Sequence, residues 1–199
     1  MITPTVIEST SRGDRAMDIQ SRLLKERIVM INGEITDELS ELIVSQLLFL
    51  EMSNPERPIK LYINSPGGTI TSGMAIYDVM EYVKPEIETI VIGQAASMGS
   101  VLAQSGSPGK RFIMPNARIM IHQPLGSLSG SVSDAEIAYK EMLHYKTLIS
   151  ELYCKHNSKG YDSDYFLSIM DRDSYFSSED SIELGIMDEL LKQKPLYSY

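Results

Sequence analysis

A serine and a histidine stand at two places where the residue pattern changes. Ser97 lies in the run Gly93–Ser100, after the apolar stretch Ile90–Ile92 and before a helical pattern. His122 ends the alternating stretch Arg118–Ile121. A serine hydroxyl is a weak nucleophile at neutral pH, so it needs a neighbouring base and donors for the negative charge that develops. Small residues around Ser97 leave that space open, and the two positions predict a candidate site for acyl transfer.

Each of these residues also has a structural interpretation. Ser97 could simply cap the helix that follows it, and His122 could be an ordinary residue at a strand end. Of the three histidines, His144 and His156 fall on or just after a long predicted helix, where a solvated or packed imidazole is the usual role. His122 is favoured as the base because sites collect at the carboxyl ends of parallel strands, where Ser97 also stands. The residues alone leave both interpretations open.

Two adjacent glycines, Gly67 and Gly68, follow another predicted strand end. Their missing side chains let backbone N–H groups approach a ligand closely. A phosphate-binding loop is the competing interpretation, but the pattern GxxxxGK[ST] is absent and no lysine follows. We therefore expect this turn to supply an amide donor for an oxyanion.

Spacing does not decide which acid would orient the base. The segment Asp171–Phe176 carries two candidates, Asp171 and Asp173, and a solvated charge cluster is the alternative. Elsewhere, Cys154 and His156 are too few to hold a metal ion, and their spacing matches no recognised metal-binding motif. We therefore expect no metal site.

Short apolar stretches separated by helical patterns predict the elements that carry these residues. Helical segments of about 12–20 residues between most of the stretches are typical of βαβ units, which build parallel sheets. The expected strands are Arg27–Asn32, Ile59–Ile63, Glu86–Ile92, Arg111–Met114 and Arg118–His122. The helix predicted over Asp37–Phe49 is expected to pack on the sheet through Leu39, Leu42, Ile43 and Leu47.

A long helix is predicted near the carboxyl-terminal part of the chain. Ser133 and Glu136 are spaced as a capping box, which opens a helical pattern that runs to about Lys155. Its expected apolar stripe consists of Ile137, Met142, Tyr145, Ile149 and Leu152. We expect this helix to project from the body and to pack against something else. A last short helix is expected to begin at Ser177 and to end before Gly185.

Composition limits the classes of function. With 199 residues, 43% of them hydrophobic, the chain suits one domain. A net charge of −9 without a basic cluster argues against a nucleic-acid partner, and no apolar run approaches the length of a membrane span. The single Cys154 and a start without a signal-peptide pattern favour the cytoplasm, with an organelle interior as the alternative. Residues 1–16 show no amphipathic period and are expected to form a flexible arm.

Six ordered motifs together resemble the proteolytic subunits of the Clp protease, the ClpP family. The resemblance covers about residues 5 to 192. The motifs are Ser11–Gly13, Ser21–Arg27, Gln46–Glu51, Leu61–Gly68, Gly93–Gly99 and Met120–Gly126.

The resemblance implies a fold and a set of roles. The fold is an α/β fold of the ClpP/crotonase type, with repeated β-β-α and βαβ units and a protruding strand-helix handle. Ser97 becomes the nucleophile, His122 the general base and Asp173 the acid that orients it, while Gly68 and Met98 supply oxyanion-hole amides. The subunit itself needs no cofactor, since ATP is used by a partner.

The resemblance also implies an assembly. Family members form two stacked heptameric rings that enclose a chamber, receive unfolded proteins from a hexameric Clp-type ATPase and cut them to short peptides. Residues 17–193 would form the peptidase domain, with the handle at about 123–155, an axial-loop arm at 1–16 and a tail at 194–199. The remaining roles fall on three pairs. These are Leu125 and Gly126 for substrate binding, Asp171 and Arg172 for coupling ring contact to the triad, and Tyr62 and Tyr82 for ATPase docking.

Two other functions compete with a serine endopeptidase. An acyl-CoA hydratase or isomerase of the related crotonase fold would use the same pair of amides but would not require Ser97 and His122 together. An inactive ring subunit would only scaffold catalytic partners, although such subunits usually lack a triad member.

Overall fold

A mostly parallel seven-stranded sheet with helices packed on it forms the body of the structure, a computed structural model that describes residues 4–10 and 13–191. The strands are β1 (Thr5–Thr10), β2 (Gly13–Asp18), β3 (Ile28–Asn32), β4 (Ile59–Ser65), β5 (Ile87–Ala96), β6 (Arg111–Ile113), β7 (Arg118–Ile121), β8 (Ser174–Phe176) and β9 (Glu189–Leu190). The helices are α1 (Ile19–Lys25), α2 (Asp37–Ser53), α3 (Ile70–Tyr82), α4 (Met98–Gln104), α5 (Val132–His156), α6 (Ser163–Ile169) and α7 (Ser178–Glu183). The predicted α/β class is confirmed.

The sheet branches at its longest strand. Strands β3, β4, β5, β6 and β9 lie in that order, all parallel. The first half of β5 pairs with β6, whereas its last residues pair in parallel with β7, which in turn pairs antiparallel with β8. The five strands predicted from the apolar stretches are all present, and the parallel arrangement follows from the helices between them.

Strand β5 continues four residues past its predicted end at Ile92. The register between β4 and β5 shifts after Ile63, and Gly93 has a φ of 67° at this irregularity. A Cβ atom at Gly93 would lie 2.7 Å from Oδ1 of Asn64. A bulge of this kind bends a strand without ending it, so β5 continues to Ala96 and Ser97 directly follows its end.

Helix α2 packs on the sheet, but with a face slightly different from the one predicted. Ile43 and Leu47 are fully buried and Leu39 is partly buried, as expected. Leu42 is instead 46% exposed, because the inward face continues to Leu50 and successive residues lie about 100° apart around a helix.

The long helix α5 begins earlier than predicted and is only partly buried. Ser131 is its N-cap and forms a capping box with Asp134, so the predicted box of Ser133 and Glu136 is wrong by two residues. Ile149 and Leu152 are buried, whereas Ile137 is 67% exposed. The predicted stripe therefore divides into a half that packs on the body and a half that projects.

The amino-terminal segment contains more regular structure than the flexible arm that the sequence predicts. Strands β1 and β2 pair antiparallel from Thr5 opposite Asp18 to Thr10 opposite Gly13. An ion pair of 2.6 Å between Lys25 and Glu8 ties the hairpin to α1. The short elements α1, α6, β8 and β9 were also not predicted. Residues 1–3, 11–12 and 192–199, which include the predicted tail, lie outside the described residues.

Hydropathy gives one further result. Within the described ranges, no helix is both long and apolar enough to cross a membrane.

Candidate active site

Ser97 occupies a sharp turn between β5 and α4. Its backbone has φ 53° and ψ −127°, a conformation that non-glycine residues rarely adopt and that costs about 1–3 kcal/mol. Its side chain makes no capping hydrogen bond, although Ser97 is the N-cap residue by position. The capping interpretation therefore does not explain this serine. Strained strand-to-helix turns of this kind expose a nucleophile in several hydrolase folds.

His122 lies beside Ser97 because of the register between β5 and β7. Ala96 pairs with Met120, and the N–H of Ser97 donates to the carbonyl of Met120 at 2.9 Å. His122 follows one residue past the end of β7, and its Nε2 lies 2.9 Å from Oγ of Ser97. The sequence-predicted serine and histidine thus form a hydrogen bond.

Asp173 is brought to the other side of the imidazole by β8. Ile121 pairs with Ser174 in the antiparallel ladder, so the next position on each strand places His122 opposite Asp173. Oδ1 of Asp173 lies 3.1 Å from Nδ1 of His122. An Nδ1–H that donates to this carboxylate leaves Nε2 as the acceptor for the serine hydroxyl.

The second acidic candidate takes a different position. Asp171 forms an exposed ion pair of 3.7 Å with Arg172. Of the two acids that the residues alone left open, the structure joins Asp173 to His122.

The two predicted amide donors belong to segments that meet at Ser97. Met98 is the first residue of α4, so its N–H has no acceptor within the helix. The N–H of Ile35 donates to the carbonyl of Gly67, and the carbonyl of Ile35 accepts from the N–H of Thr69. The N–H of Gly68, which lies between these two groups, therefore faces away from Ile35. A Cβ atom at Gly67 would lie 3.2 Å from the nitrogen of Met98, so the glycine loop packs against the start of α4.

A pocket of about 240 Å³ opens beside Ser97 and His122. Its apolar lining includes Ile70, Met98, Val101, Leu125, Ile149 and Tyr153. The hydroxyl of Tyr153 hydrogen-bonds to Oγ of Ser100 at 2.6 Å, and burial raises the pKa of Tyr153 well above its ordinary value. Tyr153 therefore stays neutral, and no Asp, Glu, Lys or Arg side chain among the described residues lines the pocket.

Part of this pocket wall was not predicted from the sequence. Tyr153 and Ile149 lie four residues apart on α5 and therefore share one helix face. Tyr153 was left out of the predicted stripe, although this spacing could have placed it there. Gln123, which also lines the pocket, was missed as well.

The remaining predicted residues lie around or away from the pocket. Leu125 lines it and is 77% exposed, and a Cβ atom at Gly126 would lie 3.0 Å from Sδ of Met142 on α5. Tyr62 on β4 is half-buried and Tyr82 at the end of α3 is 76% exposed. Neither tyrosine lines the pocket.

Fold and site define an α/β protein that holds a serine, a histidine and an aspartate in one hydrogen-bonded row beside an apolar pocket. A profile of the Clp protease family matches residues 11–194 of the 199-residue chain. The chain belongs to the Clp protease family, whose proteolytic members are serine peptidases of the ClpP type. The resemblance found in the sequence motifs is thereby confirmed.

Proposed function

We propose that this chain is a serine endopeptidase that cleaves unfolded proteins through an acyl-enzyme on Ser97. The observation that carries the proposal is the continuous row in which Oγ of Ser97 lies 2.9 Å from Nε2 of His122 and Nδ1 lies 3.1 Å from Asp173. A crotonase-type hydratase would not use these three side chains together. An inactive subunit would not need them either.

The proposed reaction has two acyl-transfer steps. Oγ of Ser97 attacks the scissile carbonyl carbon while Nε2 of His122 takes its proton, and the N–H groups of Gly68 and Met98 stabilise the oxyanion. His122 then gives the proton to the departing amine, and the C–N bond breaks to leave an ester on Ser97. Water, deprotonated by His122, attacks the ester; the C–Oγ bond then breaks, His122 returns the proton to Oγ of Ser97, and the carboxylic acid is released. The reaction balances without a cofactor.

The substrate is proposed to bind as an extended chain. The segment after β7 that contains Leu125 and Gly126 is exposed and unpaired in the described structure, which suits β-augmentation by a substrate backbone. The uncharged pocket beside Ser97 would take an apolar side chain on the acyl side of the scissile bond.

The projecting half of α5 supports the proposed ring assembly. Val132, Tyr139 and Leu143 share one exposed face of this half, and Ile137 is exposed on another face. Exposed large hydrophobic side chains that cluster in this way usually mark an interaction surface. We propose that α5 packs between two heptameric rings and that Asp171 and Arg172, the two residues before Asp173, couple this contact to the triad.

An ATPase partner would supply unfolded substrate. The exposed ring of Tyr82 and the half-buried Tyr62 support a hydrophobic docking site for a hexameric Clp-type ATPase. ATP would be consumed by that partner. The single Cys154 supports a reducing, cytoplasmic setting.

Covalent labelling tests the proposal. A fluorophosphonate probe should attach to Ser97 in the assembled protein, as located by mass spectrometry, and Ser97→Ala should abolish both labelling and peptide cleavage. Gel filtration with light scattering should show the same assembly for both proteins. Labelling at another residue, or retained cleavage by Ser97→Ala, would contradict the endopeptidase assignment. An unlabelled but assembled wild type would favour the scaffold, and hydration of an enoyl-CoA would favour the crotonase alternative.

A further inference from the structure

The loop that carries Asp173 is short and exposed. It connects α6 to β8 through residues 170–173, and the side chain of Asp173 is 60% exposed. An exposed carboxylate can reach the imidazole only while the backbone of its loop stays in place. The position of Asp173 against His122 therefore depends on what fixes the backbone of this loop.

Gln123 holds this loop with two hydrogen bonds. Its backbone N–H donates to the carbonyl of Met170 at 2.7 Å, and its side-chain Nε2 donates to the carbonyl of Asp171 at 2.9 Å. Gln123 directly follows His122, so the imidazole and both donors stand on one strand end. The base and the loop of its acid are thereby joined through a single residue.

The far end of the loop is anchored separately. Oγ of Ser174 donates to the carbonyl of Ile169 at 2.7 Å, and Ser174 pairs with Ile121 in the ladder. With β8 fixed on one side and Gln123 on the other, the backbone between Asp171 and Ser174 has little freedom.

The chemistry of this tether requires a donor at Gln123. Glutamate has the same shape but presents only oxygen atoms to the carbonyl of Asp171, and methionine has a similar length without a donor. Pro124 restricts the backbone of the preceding residue to extended conformations, which limits how far Gln123 can turn away.

We propose that Gln123 is a positioning residue that sets the contact between Asp173 and His122 by holding the loop of the acid. The inference rests on the proposed function. Gln123 touches none of the reacting atoms in this role and acts through Asp173.

A double-mutant cycle tests this dependence. Gln123→Met should lower kcat for a short peptide about tenfold, as the loss of one hydrogen bond predicts, with little change in KM. In an Asp173→Asn background the same change should lower kcat less than about twofold, because the residue through which Gln123 acts is already disabled. Equal factors in the two backgrounds, or an effect on KM alone, would overturn the inference.

The split between kcat and KM gives a readout that a merely structural role would not move. Gln123→Glu keeps the shape of the side chain but removes the donor, so it should lower kcat by about the same factor as Gln123→Met, with little change in KM. An unchanged kcat in Gln123→Glu would contradict the inference.

Asn157→Leu is the matched control, because Asn157 also donates a side-chain amide to a backbone carbonyl, that of Leu184 at 2.8 Å. It should lower stability without lowering kcat. An equal loss of kcat in Asn157→Leu would contradict the inference.

Fluorophosphonate labelling separates failure of the inference from failure of the proposed function. If wild type is labelled at Ser97 but Gln123→Met lowers kcat by the same factor in both backgrounds, only the role of Gln123 is wrong. If wild type is not labelled at Ser97, the proposed function and the inference are both wrong.

Discussion

Gly67 and Ser97 lie so close together that no side chain fits between them. A Cβ atom on Gly67 would come within 2.6 Å of Cβ of Ser97 and 2.8 Å of the carbonyl oxygen of Ala96. The φ of Gly67 is 97°, in the region that favours glycine. The glycine loop thus sets the space in which the strained turn at Ser97 sits.

Gly67→Ala should therefore impair activity more than stability. The added methyl group must push Ser97 or its own loop aside, and a displacement of about 1 Å at a reacting group can cost about 10²-fold in rate. We expect kcat/KM for a short peptide to fall at least that far. Peptide hydrolysis and denaturant unfolding, measured on the same preparation, would show the two effects.

Gly109→Ala is the control for this change. Gly109 has a φ of 78°, but a Cβ atom there would meet nothing within 4 Å. The control should carry the backbone strain, lose some stability and keep its activity. Similar activities for the two variants would show that the contact of Gly67 with Ser97 does not matter.

Asp173→Asn should lower kcat while leaving the assembly intact. Asparagine can present its NH₂ group to Nδ1 of His122, which favours the tautomer that cannot accept the serine proton. In a serine protease with a buried triad acid the loss is about 10⁴-fold, and the 60% exposure of Asp173 leads us to expect about 10²- to 10⁴-fold here. Asp164→Asn, which removes an exposed charge from α6, should retain activity in the same peptide assay. Full activity of Asp173→Asn would remove Asp173 from the triad.

The residue pattern singled out the serine and the histidine as candidates because each follows a recognisable apolar strand, although it left their roles open. The aspartate could not be chosen from the residues alone. It precedes β8, a strand of three residues none of which is buried, and its partner is set by long-range pairing of Ile121 with Ser174. Local pattern carries no information about such pairing, so only the resemblance to a family selected Asp173.

Two other features, the amino-terminal hairpin and the place of Tyr153, were not predicted for similar reasons. The hairpin of β1 and β2 has mostly exposed positions, so its alternation is not marked by hydrophobicity. Tyr153 lies on a helix whose core-facing half could not be told from its projecting half by periodicity. In both cases the deciding contacts are tertiary.

Arg111→Met should destabilise the fold strongly. The Arg111 side chain is 3% exposed and its Nε donates to Asp188 at 2.8 Å, while its Nη1 group donates to the carbonyls of His156 and Gln104. Removing one partner of a buried ion pair costs about 3–5 kcal/mol because the other charge stays buried. Denaturant unfolding should show a loss of this order for Arg111→Met and a smaller loss for the double variant Arg111→Met/Asp188→Leu. A loss below about 1 kcal/mol for the single variant would contradict this account.

Stability should also fall in mild acid because of His156. Burial lowers the pKa of His156 below its ordinary value, with the cations Lys155 and Arg111 adding to the effect and Glu81 opposing it. As the pH falls, the unfolded chain therefore binds a proton at this histidine before the folded chain does. The contribution of His156 to the free energy of unfolding is complete above about pH 6.5 and is lost as the pH drops through the folded-state pKa. Nε2 of His156 lies 3.1 Å from the hydroxyl of Tyr77. His156→Gln keeps a polar group near this hydroxyl and should flatten the slope in denaturant unfolding between about pH 7.5 and about pH 5. Equal slopes for wild type and His156→Gln would show that His156 does not couple folding to pH.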